Sequence, residues 1–208
     1  MKLSFVLSRF LFLATAVLAG FQIVKEIPGA PLVMTINLTI GFGTLTLAGL
    51  LLLVYGIESL SNPWVAVFGT GVPLGFSAAL VVQMEPGLSI HYLIFATLAF
   101  FAIVITRLRF SKKTATLTLA VVHAIAGLLM VGLPPYGCMA GLAGRPVIWF
   151  TTGGAFMGMG GLLLVFLRSD KPILKESLIY LLFPFLLIMI AIAFTLGLRG
   201  LGIVSCSG

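Results

Sequence analysis

Seven long stretches of this 208-residue chain are almost free of charge, and nothing else constrains its fold as strongly. Crossing a hydrocarbon core about 30 Å thick takes about 20 mainly apolar residues, because a helix rises about 1.5 Å per residue. The stretches run roughly over 4–24, 33–57, 63–83, 88–106, 115–133, 146–167 and 177–198. Charged or Pro/Gly-containing segments separate them. These are Lys25-Glu26 with Pro28 and Pro31, Glu58 to Pro63, Glu85-Pro86-Gly87, Arg107 to Lys113, Pro134-Pro135 to Pro146, and Arg168 to Glu176. The expectation is an all-α, polytopic membrane protein in which residues 1–208 form one bundle of seven transmembrane helices.

Composition supports this reading. Asp, Glu, Lys and Arg make up 8% of the chain, against about a quarter in a soluble domain. So little charge cannot cover a water-soluble fold, which excludes a soluble enzyme or a nucleic-acid-binding module.

The first stretch also resembles a secretory signal peptide, with a basic start and small residues near Ala19. Its apolar run continues to Val24, which favours a retained helix, with a cleaved signal as the alternative.

Orientation follows from the basic residues. With the N-terminal side called A and the opposite side B, side A carries Lys2, Arg9, Arg107, Arg109, Lys112, Lys113, Arg168, Lys171 and Lys175. Side B carries Lys25, Arg145 and Arg199. This bias predicts a cytoplasmic N-terminus, an outside C-terminus and a location in the cell membrane. The net charge of +7 is then a property of topology and calls for no nucleic-acid partner. Tyr55, Trp64 and Tyr180 fall at side A span ends, and Tyr92 and Trp149 at side B ends. Tyr136 is expected in a side B loop. Boundary positions suit amphipathic rings.

Lipid offers helices no hydrophobic drive to associate, so close packing relies on small residues. The sixth span carries Gly154, Gly158 and Gly161 on one face, and the third carries Gly71, Gly75 and Ala78. The fifth carries Thr116, Ala120, Ala124 and Gly127, with His123 on the same face. These faces are expected to pack inside the bundle, with an interface to another chain as the alternative. Pro73 and Pro184 are candidate helix kinks, since an interior proline frees a carbonyl.

Chemistry-bearing residues are sparse. No Asp, Glu or Lys lies deep in a span, and Arg9 comes nearest, close enough to side A to snorkel. Ion-coupled carriers and pumps generally place ionisable groups at depth. His91 and His123 are the candidate cofactor ligands. Their expected depths differ by roughly 10 Å at helical rise, which suits a shared haem poorly. Neither histidine has a carboxylate at its depth to build a catalytic triad. No cofactor and no metal are expected. His123 is instead expected to hydrogen-bond a neighbouring helix. Cys138 and Cys206 are both expected on side B, where a disulfide between them would tether the C-terminal tail. Asn37-Leu38-Thr39 matches a glycosylation acceptor but falls within a span.

Three functions remain, in descending order. The first is a non-catalytic subunit or assembly partner of a larger membrane complex, bound to other membrane subunits or to its own copies. The second is a small carrier or channel for a neutral or weakly polar solute. The third is an enzyme or cofactor carrier using His123 or His91.

Overall fold

The computed structural model describes residues 2–25, 27–167 and 176–201, and every described element is helical. The helices are α1 (Lys2–Val24), α2 (Leu32–Tyr55), α3 (Pro63–Gly69), α4 (Gly71–Met84), α5 (Ser89–Arg109), α6 (Lys112–Met139), α7 (Trp149–Leu167) and α8 (Glu176–Leu198). Six segments among the described residues are long and apolar enough to cross a membrane. They are Phe5–Val24, Leu32–Tyr55, Val67–Met84, Pro86–Arg109, Lys112–Met139 and Leu178–Leu198. The chain therefore has the build of a multi-pass membrane protein.

Close contacts fix the directions of the helices. Gly49 faces Phe12 and Ala16 while Gly20 faces Thr46, so α1 and α2 are antiparallel. Gly71 faces Thr44 and Gly75 faces Asn37, so α4 runs opposite to α2. Met84 and Gly137 touch at the C-terminal ends of α4 and α6, which places those ends together. Gly153 meets Phe194, Gly197 meets Phe150 and Gly160 meets Leu186, so α7 and α8 are antiparallel. A ring results, in the order α1, α2, α4, α6, α7, α8 and back to α1. Helix α5 lies outside it, against α4 and α6.

Helix α4 is the most enclosed element, with Gly71 to Val81 all buried. Its Phe76 sits at the centre of an aromatic cluster. The ring centroid lies 4.8 Å from Phe42 of α2 in a T-shaped contact, 4.2 Å from Phe194 of α8 and 5.9 Å from Phe150 of α7. Phe150 and Phe194 stack at 5.6 Å. Edge-to-face and offset pairs are the favoured ring geometries, and each adds about 0.5–1.5 kcal/mol beyond burial. Glycine permits the approach of the backbones around this cluster. A Cβ at Gly75 would stand 2.7 Å from both Asn37 O and Gly41 N, so any side chain there would push α2 and α4 apart.

Two expectations about helix limits are corrected. The third span is not one helix. It divides at Thr70 into α3 and α4, and the Thr70 N–H donates to Val67 O at 3.2 Å. Asn62 caps α3, accepting from the Trp64 N–H at 2.9 Å. Alone, the 14 residues of α4 rise only about 21 Å, so α3 completes the length. Pro73 falls in the first turn of α4, where a missing N–H removes no helical bond.

The second correction concerns Pro134-Pro135, expected to end the fifth span. Helix α6 runs through both prolines to Met139, 28 residues in all. Pro135 lacks the N–H that would reach Val131 O in α-helical register. Thr151 of α7 supplies the missing donor, its Oγ1 lying 3.1 Å from Val131 O. A neighbouring helix thus satisfies the carbonyl that the proline frees, which is how membrane helices tolerate proline. Cys138 and Tyr136 are consequently in the last turn of α6 and not in a loop.

Candidate functional site

At side A, the start of α1, the end of α2 and the start of α8 surround a cavity of about 570 Å³. Helix α1 contributes Phe5, Ser8, Arg9 and Phe12. Tyr55 ends α2, and Gly56, Ile57 and Glu58 follow it. Tyr180 and Leu181 come from the first turns of α8. Gly56 has φ +76, a left-handed conformation that costs glycine little. This turn ends α2 and places Glu58 in the wall of the cavity that Arg9 of α1 also lines. The Arg9 guanidinium carbon lies 4.9 Å from the centre of the Phe5 ring, within cation–π range. The cavity is therefore lined by one cationic and one acidic residue together with two tyrosines and two phenylalanines. A volume of this size falls within the range of small-molecule sites, about 300–1,000 Å³.

The glycines sort into two groups. Gly71, Gly75, Gly153 and Gly154 are packing positions inside the bundle, with Gly154 against Met130. Among the described residues, a Cβ at Gly127, Gly158 or Gly161 would meet no side chain and no other helix within 4 Å. Ala120 and Ala124 are likewise exposed. The expected sixth-span face is thus split. Gly154 packs against α6, while Gly158 and Gly161 on the same face are exposed. On the expected inward face of the fifth span, Thr116, Ala120 and Ala124 are exposed, and His123 and Gly127 are half-buried. The buried positions of α6 are Ala115, Val122, Ala126, Met130, Pro134 and Gly137. A helical period of 3.6 residues identifies a face but not whether it turns inward.

Register shows that the open positions lie together. Gly154 packs against Met130 and Val131, and Thr151 bonds Val131. Moving one turn along each helix in opposite directions brings Gly158 level with Gly127, and Gly161 level with Ala124. At these two levels of the seam between α6 and α7, α6 offers Gly127 and Ala124 and α7 offers Gly158 and Gly161, all small residues.

His123 lies beside this seam. Its Nδ1 is 3.0 Å from Leu119 O, one turn back on its own helix. The expected partner on a neighbouring helix is replaced by a local one. A neutral ring donating through Nδ1–H leaves Nε2 as an acceptor. His91 is the third residue of α5 and is exposed. Among the described residues, no three His, Cys, Asp or Glu side chains converge on a metal-sized site. Cys138 is half-buried, and Cys206 lies outside the described residues, as do Arg168, Lys171 and Lys175.

The mid-span hydroxyls mostly bond their own helices. Thr46 donates to Phe42 O at 2.8 Å and Thr97 to Leu93 O at 2.9 Å. Asn37 behaves similarly, donating to Val33 O at 2.8 Å. Ser77 does more. Its Oγ lies 2.5 Å from Pro73 O and 2.7 Å from the Tyr92 hydroxyl. With the Ser77 proton given to Pro73, Tyr92 donates to Ser77 and links α5 to α4. Thr195 Oγ1 is buried with no hydrogen-bond partner among the described residues. Pro184 is buried inside α8.

No family model, no curated protein and no solved structure matches this chain. The side A cavity was not anticipated from sequence. Arg9 stood out as the charge nearest a span interior, but nothing in the order of residues brings Tyr180 beside it.

Proposed function

We propose that this protein is a seven-pass subunit of a cell-membrane complex, with its N-terminus cytoplasmic, and that the α6–α7 seam receives a transmembrane helix of another chain. The observation that carries this reading is the open space at Gly127, Gly158 and Gly161. Helix interfaces in lipid are enriched in small residues because these let backbones approach and gain dispersion contacts. Facing only lipid, the same glycines would contribute nothing while lowering helix propensity. The Nε2 acceptor of His123 adds a polar contact of the kind that joins membrane helices. The runner-up, a carrier for a neutral solute, has less support, because Phe42, Phe76, Phe150 and Phe194 fill the space where α2, α4, α7 and α8 meet.

Native mass spectrometry of protein extracted in a mild detergent tests the proposal. Wild type is expected to carry other membrane chains at fixed stoichiometry. Gly158→Leu with Gly161→Leu is expected to lose them, and His123→Ala to weaken them, with thermal unfolding of this chain unchanged. A wild-type monomer free of partners would overturn the reading.

A further inference from the structure

We propose that the side A cavity between α1, α2 and α8 is a binding site for the zwitterionic head of an amine-bearing phospholipid. The inference does not depend on the subunit reading, because the cavity lies between α1, α2 and α8 and the seam between α6 and α7. Three observations carry it. The first is charge. The cavity wall presents the Arg9 guanidinium and the Glu58 carboxylate, so its described ionisable groups sum to no net charge. A guanidinium forks onto phosphate oxygens through paired N–H donors. A carboxylate has about four acceptor positions, which leaves room for an ammonium among its contacts. A wall with one site of each sign matches a head carrying one phosphate and one ammonium.

The second observation is the aromatic lining. Tyr55 and Tyr180 flank the same space, and phenol rings both donate hydrogen bonds to phosphate and attract ammonium to their faces. The third is the apolar part of the cavity wall. Phe5 and Leu181 line it and are exposed large side chains. They would lie against acyl chains once the head is seated, which selects a lipid over a soluble zwitterion. Cavities between transmembrane helices that carry a basic residue are a recurrent setting for headgroup recognition. A primary ammonium is favoured over a quaternary one because Glu58 can accept its N–H groups.

Native mass spectrometry of the full chain, with equal additions of phosphatidylethanolamine, phosphatidylglycerol and phosphatidylcholine, tests the site. Wild type is expected to retain one phosphatidylethanolamine in preference to the other two. Arg9→Gln is expected to lower its retention about tenfold, the effect of one lost charge-assisted contact. Glu58→Gln is expected to reverse the preference toward phosphatidylglycerol while a lipid adduct persists. That reversal is a change of selectivity, which misfolding does not produce. Equal retention of all three lipids by wild type would overturn the proposal, as would an unchanged preference in Glu58→Gln. Displacement of the lipid by an equal concentration of soluble phosphoethanolamine would overturn the assignment to a lipid.

Discussion

The hydrogen bond from Thr151 to Val131 O offers a quantitative test of how α6 survives two prolines. Replacing Thr151 with Val keeps the shape of the side chain and removes the donor. The carbonyl of Val131 then loses the partner that stands in for the N–H absent from Pro135. Interhelical hydrogen bonds in membrane proteins average about 0.6 kcal/mol and reach about 1.7. A carbonyl left unpaired in an apolar setting costs about 1–3 kcal/mol. At 3.1 Å, and with its in-register helical donor missing, this bond belongs in the upper part of the first range. Thr151→Val should therefore destabilise the protein by about 1–1.5 kcal/mol. In a Pro135→Ala background the restored Ala N–H reaches Val131 O, and Thr151→Val should then cost less than about 0.5 kcal/mol. The two changes should thus couple by roughly 1 kcal/mol, which reversible unfolding of the four variants in micelles or bicelles would measure as a double-mutant cycle. A coupling energy within about 0.3 kcal/mol of zero would refute the reasoning, because two independent sites simply add. It would mean that Val131 O is satisfied some other way, or that the hydroxyl contributes only packing.

Three further outcomes are expected. Phe76→Ala removes the ring shared by Phe42, Phe150 and Phe194 and should destabilise by about 3–5 kcal/mol in the same unfolding assay. Gly75→Ala places a Cβ 2.7 Å from backbone atoms of α2 and should destabilise by about 1–3 kcal/mol, whereas Gly158→Ala enters open space and should change the stability of the isolated chain by less than about 0.5.

Helices and their approximate limits were legible because hydrocarbon allows a crossing backbone few options. Every N–H and C=O must be paired within the segment, so a long apolar run without charge is a helix. Composition thus determined the all-helical, multi-pass class, and the limits expected for α1, α2, α5 and α8 fall within three residues of those observed. Local signals misled where a distant group altered their meaning. Pro134-Pro135 reads as a stop until Thr151 is brought beside Val131. The third span reads as continuous because its break at Thr70 changes neither hydropathy nor length.

Which way each face turns was decided only in the tertiary structure. Periodicity groups Thr116, Ala120, Ala124 and Gly127 correctly. In water, apolar character would then mark the inward side, but in lipid both sides of a helix are apolar and the signal is lost. Only packing shows that α6 buries Ala115, Val122, Ala126 and Met130 and leaves Thr116, Ala120 and Ala124 exposed. The side A cavity was invisible for a related reason. Arg9, Glu58 and Tyr180 are far apart in the chain, and they converge only because the ring of helices closes α8 onto α1. The sequence by itself determined that this chain enters a membrane and as what kind of element. The closure of the ring decided which surfaces remain available to a partner helix or a lipid head, because that depends on contacts between segments that no local pattern encodes.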